Sequence, residues 1–133
     1  MTFEWPIRVY YEDTDLAGIV YYANYLRFTE RARTEMIREI GVDQGRLKAE
    51  GGIVFAVRRV EADYLLPAVF DDELSVVTSL SRVTGARIVL QQDILRGETR
   101  LFQSEVTLVA LTQDGNAARI PAEIRRKLEN AGR

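Results

Sequence analysis

Only one long stretch of this chain, Tyr22 to Ile40, carries helical periodicity, and nearly everything beyond Gly52 reads as strand. Tyr25, Phe28, Ala32, Met36 and Ile40 recur at helical steps on one stripe. Leu26 and Ile37 widen it, and Tyr22, Thr29 and Arg33 sit beside it. Arg27, Arg31, Glu35 and Arg38 fall mostly on the opposite side. Asn24 is the candidate cap if the helix starts there, and Gly41 is a natural stop. A chain built this way has one long apolar stripe with which to cover a sheet. That points to an α+β layer arrangement rather than a bundle or a sandwich.

The strands follow from alternation and punctuation. Pro6 to Tyr11 alternates Ile7, Val9 and Tyr11 with Arg8 and Tyr10, which predicts a first, half-buried strand. Asp43 to Gly52 is a polar connection with room for one short helical turn. Ile53 to Leu66 predicts one long strand, or one with a bulge, closed by Pro67. Leu74 to Val83, Arg87 to Leu95 and Leu101 to Leu111 predict three more, separated by a Thr84-Gly85 turn and a turn containing Gly97. Such short gaps suit antiparallel neighbours. Asp114-Gly115-Asn116 is a further turn. Pro121 then opens a short C-terminal helix, Glu123 to Asn130, with Ile124 and Leu128 able to dock one turn apart. At 133 residues the chain, 1–133, is one domain by length. Both sets of strand positions hold apolar residues, so a second subunit is the simplest cover for the face that the helix leaves open.

Between the first strand and the helix lies Glu12-Asp13-Thr14-Asp15-Leu16-Ala17-Gly18. Asp13 and Asp15 would share a side in an extended segment, or each would bond to backbone amides in a turn. Gly18 admits a backbone shape that a larger residue would hinder. The amides from Ile19 to Tyr22 would then approach a helix N-terminus, where unpaired donors and partial positive charge collect. A carbonyl oxygen acquiring negative charge would be held there with a carboxylate beside it, an arrangement suited to acyl transfer. Two other readings stand beside this one. Carboxylates near a helix start are ordinary electrostatic stabilisers, and Glu12, Asp13 and Asp15 resemble a hard-cation cluster, although without the regular oxygen spacing of a calcium loop.

Composition narrows the chemistry further. The chain has no histidine and no cysteine. Thiolate and histidine metal sites, Ser-His-Asp triads and thiol nucleophiles are therefore excluded. The formal net charge of -2, from 18 basic and 20 acidic residues, argues against non-specific nucleic-acid binding. Met1 to Tyr11 lacks the long apolar run of a signal peptide, and no apolar stretch approaches a membrane span. A cytoplasmic protein is the expectation.

Two blocks make the sequence recognisable. The first is Tyr11-Glu12-Asp13-Thr14-Asp15, followed by Gly18 to Tyr25 and Glu30 to Met36. The second is Phe55 to Arg59, then Asp63-Tyr64, Pro67-Ala68 and Asp71-Asp72. Over roughly residues 6 to 112 the chain resembles the hotdog-fold acyl-CoA thioesterases of the Tol-Pal-associated, YbgC-like group, within the wider 4-hydroxybenzoyl-CoA thioesterase family. The resemblance implies a five-stranded antiparallel sheet wrapped around one long central helix. It implies a homodimer or a tetramer of dimers, with acyl-CoA between subunits and no cofactor or metal. It places the essential aspartate on Asp15 and the amide that polarises the thioester carbonyl on Tyr22, with Gly18 shaping the loop. Many YbgC-like members carry a histidine where this chain has Tyr22, whereas the 4-hydroxybenzoyl type carries an aromatic. The departure removes a proton-transfer group and leaves the aspartate and the amide.

On this reading Asn24 and Tyr25 are candidate pocket residues, with capping and core packing as their ordinary alternatives. The CoA phosphates call for arginine, whose planar fork suits them. Arg58, Arg59, Arg82, Arg87 and Arg100 are available, Arg59 and Arg87 first. In a regular strand Arg58 and Arg59 face opposite ways, so at most one should reach a given pocket. Glu30 is expected to pair along the helix with Arg27, Arg33 or Thr34. Dehydration of 3-hydroxyacyl thioesters, a related hotdog activity, uses a histidine that this chain lacks. The remaining rivals are an acyl-CoA or acyl-carrier-protein binding module without turnover, and a scaffold associated peripherally with inner-membrane or envelope proteins.

Overall fold

The computed structural model describes residues 2–132. Its elements run β1 (Thr2–Arg8), a 3-10 turn (Tyr11–Asp13), α1 (Asn24–Glu39), α2 (Gln44–Gly51), β2 (Ile53–Tyr64), β3 (Glu73–Val83), β4 (Arg87–Arg96), β5 (Thr99–Thr112) and α3 (Ala122–Ala131). The five strands form one sheet in the order β1-β3-β4-β5-β2, and every pairing is antiparallel. The sheet curls over α1. This is the hotdog arrangement that the resemblance implies, with the short C-terminal helix in place.

The helix α1 ends as its sequence predicts. Gly41 adopts φ +92, the Val42 N–H bonds to Ile37 O at 3.1 Å, and the Gly41 N–H bonds to Arg38 O at 3.1 Å. That is the paired hydrogen-bond pattern of a Schellman stop, which needs a left-handed residue at the glycine. At the other end Ala23, not Asn24, is the cap residue, and it contributes no side-chain bond. Asn24 is the first helical residue.

Two other boundaries differ from the sequence reading. The first strand is Thr2–Arg8 rather than Pro6 to Tyr11. It is an edge strand, so Pro6, opposite Ser75, interrupts no central ladder, and Phe3 and Trp5 stack with centroids 6.3 Å apart. The polar connection after Gly41 holds a helix of eight residues. Asp43 caps it by accepting from the Arg46 N–H at 3.0 Å.

The core has two apolar clusters with a polar belt between them. Tyr25, Phe28 and Ala32 pack with Ile7, Val76, Ile94 and Phe102, whereas Met36 and Ile37 pack with Ile88, Leu90, Val106, Leu108 and Leu128. Fully burying each of the large side chains is worth about 1.5–3 kcal/mol. In the belt, Gln92 on β4 accepts from Arg33 Nη1 at 2.9 Å. Its own amide donates to Thr29 O at 3.0 Å and to Thr78 Oγ1 at 2.9 Å, and Ser104 Oγ donates to its carbonyl at 2.8 Å. Burial pushes the Arg33 guanidinium below its ordinary pKa, with Glu30 opposing that shift. Glu30 itself accepts from Thr34 Oγ1 at 2.8 Å, the pairing along the helix that the sequence favours.

The strand β2 lies at the free edge of the sheet, and its Val57, Val60 and Tyr64 are exposed, as is Leu26 on α1. No helix among the described residues is long and apolar enough to cross a membrane.

Candidate functional site

The two aspartates of the acidic loop part company. The 3-10 turn at Tyr11–Asp13 breaks the extended geometry that would have set them side by side. Asp13 is buried, at 4% exposure, and accepts from the Tyr10 N–H at 2.8 Å and from Asn24 Nδ2 at 2.8 Å. Its carbonyl takes the Tyr21 N–H at 2.8 Å. Asp13 is therefore the residue that folds the loop. Asp15 remains exposed, and among the described residues its side chain accepts from the Ala17 N–H alone, through Oδ1 at 3.0 Å. Each carboxylate thus bonds to a backbone amide, the second of the two geometries open to the sequence. Among the described residues no three acidic side chains converge to hold a metal ion.

Asp15 opens a tight hairpin. Its N–H bonds to Ile19 O at 3.0 Å, and the Gly18 N–H bonds to Asp15 O at 2.9 Å. Gly18 has φ +81, and a Cβ there would meet nothing within 4 Å, so glycine serves the backbone shape rather than the space around it. The chain then runs back to Val20, whose N–H bonds to Ala68 O at 2.9 Å, and enters a turn closed by the Asn24 N–H on Tyr21 O at 2.8 Å. Within that turn the N–H groups of Tyr22 and Ala23 have no acceptor among the described residues. They are free donors at the N-terminal end of α1, on the next turn of chain after Asp15. The phenol of Tyr21 is pushed above its ordinary pKa, first by the Tyr22 phenol and last by the Asp15 carboxylate, so the three side chains share one electrostatic neighbourhood.

Aromatic side chains floor this region. Tyr22 packs edge-on to Tyr64 at 6.3 Å, and Tyr64 packs edge-on to Tyr25 at 5.3 Å. Tyr25 is buried, stacks on Phe102 at 5.2 Å and accepts from the Ala68 N–H at 3.0 Å through its hydroxyl. The amide of Asn24 is committed to Asp13. Asp15, Gly18, Tyr22, Asn24 and Tyr25 therefore form one contiguous assembly, in which Asp15 and Tyr22 are exposed and the other two side chains lie beneath.

The arginines lie elsewhere. Arg58, Arg59, Arg82 and Arg87 border a cavity of about 440 Å3 on the face of the sheet turned away from α1, with Glu105 in its wall. Arg58 and Arg59 both reach it. The β2–β5 register slips between Val57 and Arg59, and this bulge defeats the strict alternation expected of the strand. Arg59 also pairs with Glu61. Arg100 is drawn away to Asp93, at 3.3 Å. Within one chain Tyr64 lies six strand positions beyond Arg58, about 20 Å along β2. Arg59 and Arg87 are thus together, but not beside Asp15.

A family model described as the thioesterase-like superfamily matches residues 9–128. The chain belongs to that superfamily. It is a hotdog-fold thioesterase of the YbgC-like group. It is 44% identical over 110 residues to the acyl-CoA thioester hydrolase YbgC of Escherichia coli O6:H1, covering 82% of this chain and 81% of that one. It is 42% identical over 109 residues to the acyl-CoA thioesterase YbgC of Haemophilus influenzae, covering 82% and 80%. Among solved structures, a probable thioesterase from Bartonella henselae superposes with a TM-score of 0.87 at 37% identity, over 91% of this chain and 100% of the other. In this thioesterase the sequence blocks that carry the likeness, from Tyr11 to Tyr25 and from Phe55 to Asp72, are the segments that build the loop, the aromatic floor and the bulged edge strand.

Two further residues, Asp13 and Tyr64, hold this assembly in ways that their sequence positions do not announce. Asp13 differs from Asp15 only by the turn that buries it, and no local spacing signals that. Tyr64 reads as a strand aromatic, yet its hydroxyl leaves the core and donates to the Tyr22 carbonyl at 2.9 Å.

Proposed function

We propose that this protein hydrolyses acyl-CoA thioesters, with a short aliphatic or an aromatic acyl group, at the site formed by Asp15 and the free amides of Tyr22 and Ala23. The observation that carries the reading is the pairing of an exposed carboxylate with unpartnered N–H groups at a helix N-terminus. The amides hold the oxyanion as the carbonyl becomes tetrahedral. The thiol departs readily as a thiolate, since thiols are far more acidic than alcohols (a cysteine thiol has a pKa near 8.5), so no histidine is needed to protonate it. Asp15 has two routes. As nucleophile it forms a mixed anhydride and expels the thiolate, and water then cleaves the anhydride and restores the carboxylate. As general base it takes a proton from the water that attacks the carbonyl. Heavy oxygen found in the Asp15 side chain after a single turnover in labelled water would establish the first route, because water attacking the anhydride at the Asp15 carbonyl leaves its oxygen there and the second route never does.

The substrate's phosphates fit the arginine cavity only if a second copy supplies it. Antiparallel pairing of two β2 edges across a twofold axis reverses the strand. It would bring the partner's bulge level with this chain's Tyr64, with the partner's basic cavity on the outer face of the joined sheet. The same pairing would cover the exposed Val57, Val60 and Leu26. We accordingly propose a homodimer as the working unit, alone or doubled into a tetramer, and a cytoplasmic location where CoA thioesters are made and used.

The test is turnover by purified protein across short, medium, long and aromatic acyl-CoAs, each also offered on acyl-carrier protein. Saturable hydrolysis of at least one CoA thioester is expected. Tight binding of acyl-CoA without turnover would instead establish the binding-module alternative. Failure of every substrate to bind would leave a scaffold.

A further inference from the structure

Tyr64 stands at the end of β2, opposite Phe102 of β5. Its ring is held between Tyr25, at 5.3 Å, and Phe102, at 5.1 Å, so the direction of its C–O bond is set by packing. The hydroxyl donates to the Tyr22 carbonyl at 2.9 Å. That carbonyl belongs to the peptide whose N–H is carried by Ala23. Tyr22 and Ala23 are the middle residues of the turn from Tyr21 to Asn24, and Ala23, at φ -72 and ψ -20, has the backbone of a type I turn. The Tyr22–Ala23 peptide is therefore the central plane of that turn. It is also the plane that rotates whenever such a turn changes type.

A hydrogen bond received by a carbonyl does two things to its own peptide. It fixes the rotation of the plane, and it draws electron density toward the oxygen, which makes the N–H of that peptide a stronger donor. Here that N–H is free. Resting on the hydrolytic reading above, we propose that Tyr64 is a positioning residue. Its hydroxyl locks and polarises the Tyr22–Ala23 peptide, and the Ala23 N–H joins the Tyr22 N–H as a second donor to the developing oxyanion. The role falls on a side chain that touches neither the scissile bond nor Asp15. A strand aromatic thereby gains a task beyond packing.

Tyr64→Phe keeps the ring and deletes the hydroxyl, whereas Tyr64→Leu removes both. In the phenylalanine variant kcat is expected to fall about tenfold, the scale of one hydrogen bond, with KM and melting temperature unchanged. The backbone amide resonance of Ala23 is expected to shift. The leucine variant should lose melting temperature as well. A phenylalanine variant with parental kcat, or one whose loss sits in KM or follows the melting temperature, would overturn the proposal. An unmoved Ala23 resonance would overturn it too, whether or not the protein turns over. If the parent itself hydrolyses nothing, the hydrolytic reading falls and the positioning role with it, while the resonance still reports the bond separately.

Discussion

Asn24 donates its side-chain amide to the buried carboxylate of Asp13 across 2.8 Å, which ties the first residue of α1 to the loop that carries Asp15. The same carboxylate receives the Tyr10 N–H. Both donors point at its oxygens, and no other acceptor among the described residues serves them. The free amides of Tyr22 and Ala23 therefore keep their place relative to Asp15 through Asp13.

Asp13→Asn should be costly despite its near-identical shape. One of its two terminal atoms becomes an NH2 group facing an N–H donor. Thermal or denaturant unfolding is expected to show a loss of about 1–3 kcal/mol, the usual cost of leaving a buried polar group unsatisfied. An unchanged melting temperature would mean that the loop does not depend on this carboxylate.

The pH dependence should be plain near neutrality and steep in alkali. With no histidine or cysteine, no side chain ordinarily titrates between about pH 5 and 8. The kcat/KM profile is expected to be flat from about pH 6 to 8, and a bell centred near neutrality would contradict this. Burial, the largest influence on both, holds the Tyr25 and Tyr64 phenols above the ordinary value of 10.0. The folded chain therefore keeps these protons to higher pH than the unfolded chain does. Their contribution to stability is full below the unfolded pKa and is lost as pH rises from there through the folded one. Unfolding free energy should decline above about pH 10, and Tyr25→Phe should make that decline shallower.

The arginine cavity should matter for the nucleotide end of the substrate alone. Arg59→Ala combined with Arg87→Ala is expected to raise KM for an acyl-CoA by about tenfold or more, since charge-assisted bonds to phosphate are among the stronger ones. The same acyl group on pantetheine, which lacks the nucleotide, should show no change. Equal effects on the two substrates would remove the cavity from CoA binding.

Much of this architecture is local and was therefore legible. The stripe from Tyr25 to Ile40 marks α1, Gly41 stops it, and Gly18 takes the positive φ that its place after Asp15 suggests. The features that escaped depend on what lies across the sheet. A bulge in β2 is one of two readings open to the sequence, but its place at Arg58 is fixed only by the register against β5. Gln92, Thr78 and Ser104 read as breaks in an apolar alternation, yet they meet Arg33 as one buried network. The separate fates of Asp13 and Asp15 depend on a three-residue turn that propensity alone does not place.

The most direct test of the account is the rate of thioester hydrolysis by Asp15→Asn beside the parent protein. The substitution keeps the hairpin, because the asparagine oxygen can still accept from the Ala17 N–H, and it removes only the charge. A fall in kcat of about a hundredfold or more, with acyl-CoA still bound and the melting temperature unchanged, is the predicted result. Hydrolysis surviving at the parental rate would move the chemistry away from Asp15 and contradict the account.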